Sequence, residues 1–96
     1  MGKAKSLIRQ YDNCYLCGRY IPLQTHHLVF GRNRKLADKY GLTVDICFEC
    51  HNMIHGNKEF MDRSRNLGQA LFEFQYGHDR WMQEFRKNFY DDTGWN

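Results

Sequence analysis

The sequence lacks long apolar runs, which argues against a membrane-spanning helix and a secretory signal. No run approaches the about 18 residues of a membrane-spanning helix, so we expect no membrane partner. Residues 1–12 lack the apolar stretch of about 7–15 residues that marks a secretory signal, which favours a cytoplasmic, reducing setting. Repeats, low-complexity segments and linkers are also missing, and the one proline is unremarkable. We therefore expect a single domain over residues 1–96.

The composition predicts a folded chain with a small core. Hydrophobic residues make up 42% and aromatic residues 16%, which excludes a disordered chain. A domain of this size buries only about 60–70% of its unfolded surface. Such domains often need a disulfide or a metal ion for stability, so the cysteines become the first candidates for a stabilising site.

The four cysteines form two C-x-x-C pairs, Cys14/Cys17 and Cys47/Cys50. This spacing is typical of metal knuckles, and two such turns complete a tetrahedral zinc site. The alternatives are four unliganded cysteines, a redox dithiol, or a mixed site in which a histidine replaces one thiolate. The 29 residues between Cys17 and Cys47 exceed a simple zinc-ribbon loop and must carry structure of their own.

The net charge of +3 hides an asymmetry between the two halves of the chain. Residues 1–40 contain eight basic and two acidic residues, whereas residues 41–96 contain six basic and nine acidic residues. A basic first half favours a polyanion such as nucleic acid, and solvated surface charge is an equal explanation.

Hydrophobic patterns predict two strands and several helices. The strands fall within residues 21–30 and 42–46, with a helical turn over 35–40 and a helix from about 48 to 55 that Gly56 ends. Residues 1–12 are expected to form a short helix or a loosely held arm. Two amphipathic C-terminal helices follow, the first over residues 58–76 with an apolar face of Phe60, Leu67, Leu71 and Phe74, the second carrying Trp81, Phe85 and Phe89.

Four histidines have the spacing of a second metal site. On a helix, His51 and His55 are separated by four residues and share one face, so both can bind one ion. His26 and His27 are neighbours on a strand and point to opposite faces, so only one of them joins that ion easily. The other is suited to act as a general base. A surface position is the alternative for His51, and His78 has no assigned role.

These motifs, in this order, resemble an HNH endonuclease of the ββα-metal class, particularly the small phage and prophage type with two zinc knuckles. The matching text covers about residues 13–56, and the tail is similar to the helical appendage of such phage proteins. The resemblance implies an α+β fold: a ββα-metal core clasped by a four-cysteine structural zinc, then a helical extension over residues 57–96. The motifs that carry it read CYLC, THHLV and GLTVDICFECHNMIH.

The resemblance also implies a role for each matching residue. His27 corresponds to the general base, and His26, His51 and His55 correspond to ligands of a catalytic divalent ion (Mg, Mn, Ni, Co or Zn). The implied activity is metal-dependent hydrolysis of DNA phosphodiester bonds, with a homodimer as one way to cut both strands. The residues expected to hold DNA phosphates are Arg32, Arg34, Lys35 and Lys39.

One position departs from the family pattern. The family's middle Asn, which orients the general base, corresponds by spacing to Leu42, which cannot do so. Asn33 or a backbone carbonyl is the substitute that the sequence suggests. The departure supports the alternative of a non-catalytic zinc-stabilised module that binds nucleic acid or protein. A third possibility is a phage-encoded recombination or packaging accessory that nicks branched DNA.

Overall fold

The computed structural model describes residues 5–90, and over this range the fold is α+β, with one two-stranded antiparallel sheet and four α-helices. Residues 1–4 of the predicted N-terminal segment and residues 91–96 of the predicted C-terminal extension lie outside the described residues. Within 5–90, no helix is long and apolar enough to cross a membrane. The elements are β1 (Leu23–His27), a 3-10 turn (Gly31–Asn33), α1 (Arg34–Tyr40), β2 (Thr43–Cys47), α2 (Phe48–His55), α3 (Lys58–Tyr76) and α4 (His78–Phe85).

The two strands fix the directions of the paired histidines. β1 and β2 are antiparallel, with His26 opposite Val44 and His27 opposite Thr43. Because side chains alternate along a strand, His26 and His27 leave the sheet on opposite faces, as predicted. β1 ends at His27, earlier than the apolar run suggested, and the following Leu28 is buried in the core beyond the strand.

The N-terminal segment is held against β2, which corrects the prediction for residues 5–12: they form neither a helix nor a loose arm. The Leu7 N–H donates to the Gly41 carbonyl at 2.8 Å, and the Asp45 N–H donates to Oε1 of Gln10 at 2.8 Å. Gly41 ends α1 with a φ of 71°, and a Cβ at this position would lie 2.1 Å from the Lys5 carbonyl oxygen. Only glycine permits this approach.

The orientation of α3 confirms three residues of the predicted apolar face, Phe60, Leu67 and Leu71, which pack against the core, and corrects the fourth. Phe74 is 93% exposed, whereas Phe72 is fully buried and contacts Trp81 with the ring centroids 5.5 Å apart. The physical reason is Gly68, where a Cβ would lie 3.1 Å from the Cβ of Leu28. The helix therefore lies close to the segment after β1 at Gly68, and Phe72, one turn later on the same face, enters the core.

The last predicted helix is shorter than its aromatic period suggested. α4 ends at Phe85, and Arg86 reverses the chain with a φ of 60°. Phe89 lies beyond the helix but is still buried, with its ring centroid 6.0 Å from that of Trp81. The every-four spacing of the aromatic residues therefore predicted core positions correctly and the end of the helix wrongly.

Candidate functional site

Two short turns bring the four cysteines together. The first pair lies on a turn closed by two hydrogen bonds of 2.9 Å, from the Cys14 N–H to the Arg19 carbonyl and from the Gly18 N–H to the Cys14 carbonyl. Cys47 is the last residue of β2, and Cys50 lies in the first turn of α2. The second pair therefore forms at a strand-to-helix junction, where the chain direction changes.

The sulfur atoms have the spacing of a tetrahedral metal site. All four Sγ atoms lie within 4.8 Å of one another, and those of Cys17 and Cys47 are 3.8 Å apart. A tetrahedron with Zn–S bonds of about 2.3 Å has edges of about 3.8 Å. The same distance is far longer than a disulfide bond, and all four thiols are free. The cysteines can therefore hold a structural metal ion such as zinc, without a histidine in the cluster.

The surroundings of the cluster favour the thiolate form of Cys14 and Cys17. Burial acts to raise the pKa of Cys14, but backbone N–H donors from Cys17 and Cys47 outweigh it and lower the pKa to about 6. The Arg19 guanidinium donates to Sγ of Cys17 at 3.2 Å and lowers the pKa of that thiol. Burial raises the pKa of Cys50 to about 12, and the neighbouring sulfurs add to this rise. A bound cation is the usual way to hold four such thiolates together.

A second cluster joins three of the predicted histidines across β1 and α2. The nitrogen atoms that His26, His51 and His55 offer lie within 4.8 Å of one another. The two Nε2 atoms of His51 and His55 are 3.2 Å apart. Ligands of a tetrahedral ion with metal–nitrogen bonds of about 2.0–2.1 Å are separated by about 3.3–3.4 Å. The helical i, i+4 spacing therefore produces a usable pair, and His26 completes it from the strand.

Hydrogen bonds outside this cluster determine which nitrogen atoms carry a free lone pair. Ser64 donates its hydroxyl proton to the Leu28 carbonyl at 2.8 Å, so its oxygen accepts from Nε2 of His26 at 2.9 Å. Nδ1 of His26 therefore carries the free lone pair. Nδ1 of His51 donates to Oε1 of Gln24 at 2.8 Å, which leaves its Nε2 as the free atom. Such outer contacts hold imidazole ligands in one tautomer.

Two of the three clustered imidazoles are kept neutral by their surroundings. Burial lowers the pKa of His26 to about 4, and the nearby His51, His55 and His27 rings add to the effect. Burial also lowers the pKa of His51, with a further contribution from His55. Neutral imidazole is the form that binds a metal ion, so at neutral pH protons do not compete for the nitrogen atoms of His26 and His51.

His27 has a partner that the sequence did not reveal. Its Nε2 atom lies 2.7 Å from Oδ1 of Asp38 on α1, in a part-buried contact. Leu42, at the family's Asn position, is fully buried in the core. Asn33 ends the 3-10 turn and lines a neighbouring cleft, and no hydrogen bond joins it to His27 within residues 5–90. The sequence did show an acidic residue, Asp38, on the predicted helical turn at 35–40. No local pattern indicated that its side chain would reach His27.

One surface cleft of about 360 Å³ is lined both by the three clustered histidines and by His27, which lies outside the cluster. Its lining includes the three-histidine cluster, His27 and Arg34. The predicted phosphate-binding set is divided: Arg32 lines the adjoining cleft, Lys35 is exposed, and the Lys39 ammonium lies 5.2 Å from the Tyr40 ring centroid. The remaining histidine, His78, stands apart at the start of α4, where its Nδ1 lies 2.7 Å from Oε2 of Glu73.

The chemistry of the site alone indicates its role, because no related sequence or structure supplies one. No family model, no curated protein and no solved structure matches this chain.

Proposed function

We propose that this chain is a metal-dependent endonuclease of the HNH type, with a ββα-metal core, that hydrolyses phosphodiester bonds in DNA. One observation carries the proposal: a single cleft holds a three-histidine cluster, a histidine outside that cluster bound to a carboxylate, and Arg34. Phosphodiester hydrolysis needs a held cation, a base for water and a cationic contact for the phosphate. The cleft offers a residue for each task.

His27 is the proposed general base. Its Nε2–H donates to Asp38, which leaves Nδ1 to take a proton from the attacking water. The water oxygen forms a bond to phosphorus while the bond to the 3′ oxygen breaks, so the products carry a 5′ phosphate and a 3′ hydroxyl. Asp38 holds the ring in one tautomer and stabilises the imidazolium that forms, the task assigned to Asn in the family.

The three other histidines are the proposed ligands of the catalytic ion. Their convergent nitrogen atoms suit zinc, nickel, cobalt or manganese better than magnesium in affinity. A bound divalent ion would stabilise negative charge on the phosphoryl group and on the leaving oxygen. Arg34, which lines the same cleft, would hold a non-bridging phosphate oxygen by charge-assisted hydrogen bonds.

The four-cysteine site supports this arrangement through chain connectivity. Cys50 directly precedes His51, and Cys47 ends the strand that pairs with the histidine-bearing strand. A zinc ion bound by the cysteines would hold the start of α2 against the first turn, which contains Cys14 and Cys17. The direction of α2, and with it the positions of His51 and His55, would then depend on the structural metal.

Cleavage of supercoiled plasmid tests the proposal. Purified protein would be assayed with EDTA and with magnesium, manganese, nickel or zinc, beside His27→Ala and the matched control His78→Ala, whose histidine lies outside the cleft. We expect nicking that needs an added ion, is abolished in His27→Ala, and persists in His78→Ala. The zinc content and circular dichroism of all three proteins should agree.

Two results would overturn parts of the proposal. Wild-type cleavage by His27→Ala would remove the general-base assignment. No cleavage with any ion, from protein that retains its structural zinc and binds no second ion, would overturn the nuclease and favour a non-catalytic, zinc-stabilised binding module.

A further inference from the structure

A second cleft adjoins the histidine cleft and shares two of its residues. It has a volume of about 360 Å³, and Phe30 and Gly31 line both clefts. Its basic residues come from two distant parts of the sequence: Arg32 lies in the 3-10 turn, and Arg86 and Lys87 follow α4. The C-terminal part of the chain, which supplies no ligand to either metal cluster, thus reaches the border of the proposed active site.

The two clefts form one surface of positive charge. Neither is lined by a carboxylate, and together they are lined by three arginines and a lysine. Within residues 5–90, the side chains of Arg32, Arg34 and Arg86 take part in no ion pair. In contrast, three arginines elsewhere on α3 and α4 each pair with an acidic residue: Arg63 with Glu59, Arg65 with Asp62 and Arg80 with Glu84.

The backbone that carries the C-terminal basic residues is fixed by side chains of the core. The indole N–H of Trp81 donates to the Lys87 carbonyl at 2.7 Å, and the Phe89 N–H donates to Oε1 of Gln69 at 2.8 Å. Trp81 and Gln69 are both fully buried. The basic residues at 86 and 87 are therefore held at a defined place on the rim of the cleft.

Arg86 occupies a backbone conformation that its side chain does not favour. Its φ of 60° and ψ of 21° lie in the left-handed region, where glycine and asparagine are preferred. The reversal of the chain after α4 needs this conformation but not an arginine. The turn therefore does not explain why an arginine stands at this position, exposed on the rim of the cleft.

We propose that Arg32, Arg86 and Lys87 form a second phosphate-binding subsite, which holds the backbone of the DNA strand next to the scissile phosphate. Guanidinium and ammonium groups bind phosphate oxygens without reading the bases, so the subsite sets the position of the strand rather than its sequence. The inference rests on the proposed function, because it names the second contact of the same substrate.

Salt-dependent binding of a fluorescent duplex DNA tests the subsite. Binding would be measured in a His27→Ala background so that the probe stays intact, with Arg86→Gly, Arg32→Gln and the two combined. The matched control is Arg63→Gln combined with Arg80→Gln, which removes the same charge outside both clefts. Each lost phosphate contact should reduce the slope of log K against log salt by about one. For the combined variant the magnitude of this slope should therefore fall by about two, and for the control it should stay unchanged.

Arg86→Gly separates binding from folding. Glycine adopts the left-handed conformation without strain, so the unfolding temperature should be unchanged or raised while DNA binding weakens. Arg32→Gln provides an independent variant on the other side of the cleft.

The outcomes distinguish this inference from the proposed function. If the wild type binds DNA without nicking it, and only the cleft variants bind more weakly, the phosphate-binding subsite is supported and the nuclease proposal is overturned. If the wild type nicks DNA and the cleft variants bind DNA with the same salt dependence as the control, the subsite is overturned. A wild-type chain that binds no DNA overturns it as well.

Discussion

Nε2 of His27 lies 2.7 Å from Oδ1 of Asp38, a residue eleven positions later on a different element. A carboxylate at this distance fixes the tautomer of the ring and stabilises its protonated form. Leu42, which the HNH resemblance matches to an orienting Asn, is buried in the core and has no side-chain group that could accept this hydrogen bond. The proposed base is therefore oriented by an acidic residue on α1.

Replacement of Asp38 tests this orientation. Asp38→Asn keeps the shape of the side chain but removes the charge that stabilises the imidazolium, so we expect nicking to slow by on the order of 100-fold. The DNA concentration needed for half-maximal rate should change little, because Asp38 does not line the cleft that would hold the phosphate. Single-turnover rates at saturating DNA and ion measure the effect.

Asp79→Asn on α4 is the matched control, since it makes the same chemical change away from the cleft. Equal rates for Asp38→Asn and this control would show that the carboxylate does not assist the base.

The hydrogen bond that Gln24 accepts from His51 should tune the affinity of the histidine metal site. Gln24 is exposed, so Gln24→Ala should leave the fold intact while freeing the His51 ring to change tautomer. Loss of such a contact typically weakens metal binding by about 10–100-fold. Titration of zinc-loaded protein with cobalt, followed by visible absorption, measures the affinity, with the exposed Gln83→Ala as control. Identical affinities for the two variants would contradict the role of Gln24.

The four-cysteine site should dominate stability. Structural zinc sites contribute apparent binding energies of about 10–16 kcal/mol at neutral pH, and for a domain of this size 1 kcal/mol corresponds to about 4–8 °C. Cys50→Ser should therefore lose one zinc equivalent and lower the unfolding temperature by more than about 10 °C. Metal analysis and thermal unfolding followed by circular dichroism test both effects.

Arg19→Gln provides a graded comparison at the same site. Arg19 donates to the sulfurs of Cys17 and Cys47 but binds no metal, so this variant should keep its zinc and release it faster to a chelator. Unchanged zinc content and stability in Cys50→Ser would contradict the structural-metal assignment.

Two phenylalanines on α3 test the orientation of that helix. Phe72 is fully buried and Phe74 is 93% exposed. Phe72→Ala should lower the free energy of unfolding by about 3–5 kcal/mol, whereas Phe74→Ala should change it by less than about 0.5 kcal/mol. Urea denaturation at fixed zinc measures both. The reverse order would restore the apolar face that the sequence pattern predicts.

Features that depend on the spacing of residues within one turn, helix or strand could be predicted from the sequence alone. Two C-x-x-C turns bring sulfur atoms together because the bite of each pair is local, and His51 and His55 share a face because a helix repeats every 3.6 residues. Strand alternation likewise determined that His26 and His27 diverge. Each of these inferences needed only the geometry of one element.

Tertiary packing decided the rest, because it depends on how elements approach one another. Three pairings join residues that are far apart in sequence and that no helical or strand period could relate. They are Asp38 with His27, Ser64 with His26, and Arg86 with Arg32 on the lining of one cleft. The rotation of α3 was set by close approach at Gly68, which buried Phe72 and exposed Phe74. The sequence by itself thus determined which residues can act as ligands. Packing of α1, α3 and the C-terminal segment around β1 decided which partners those ligands have.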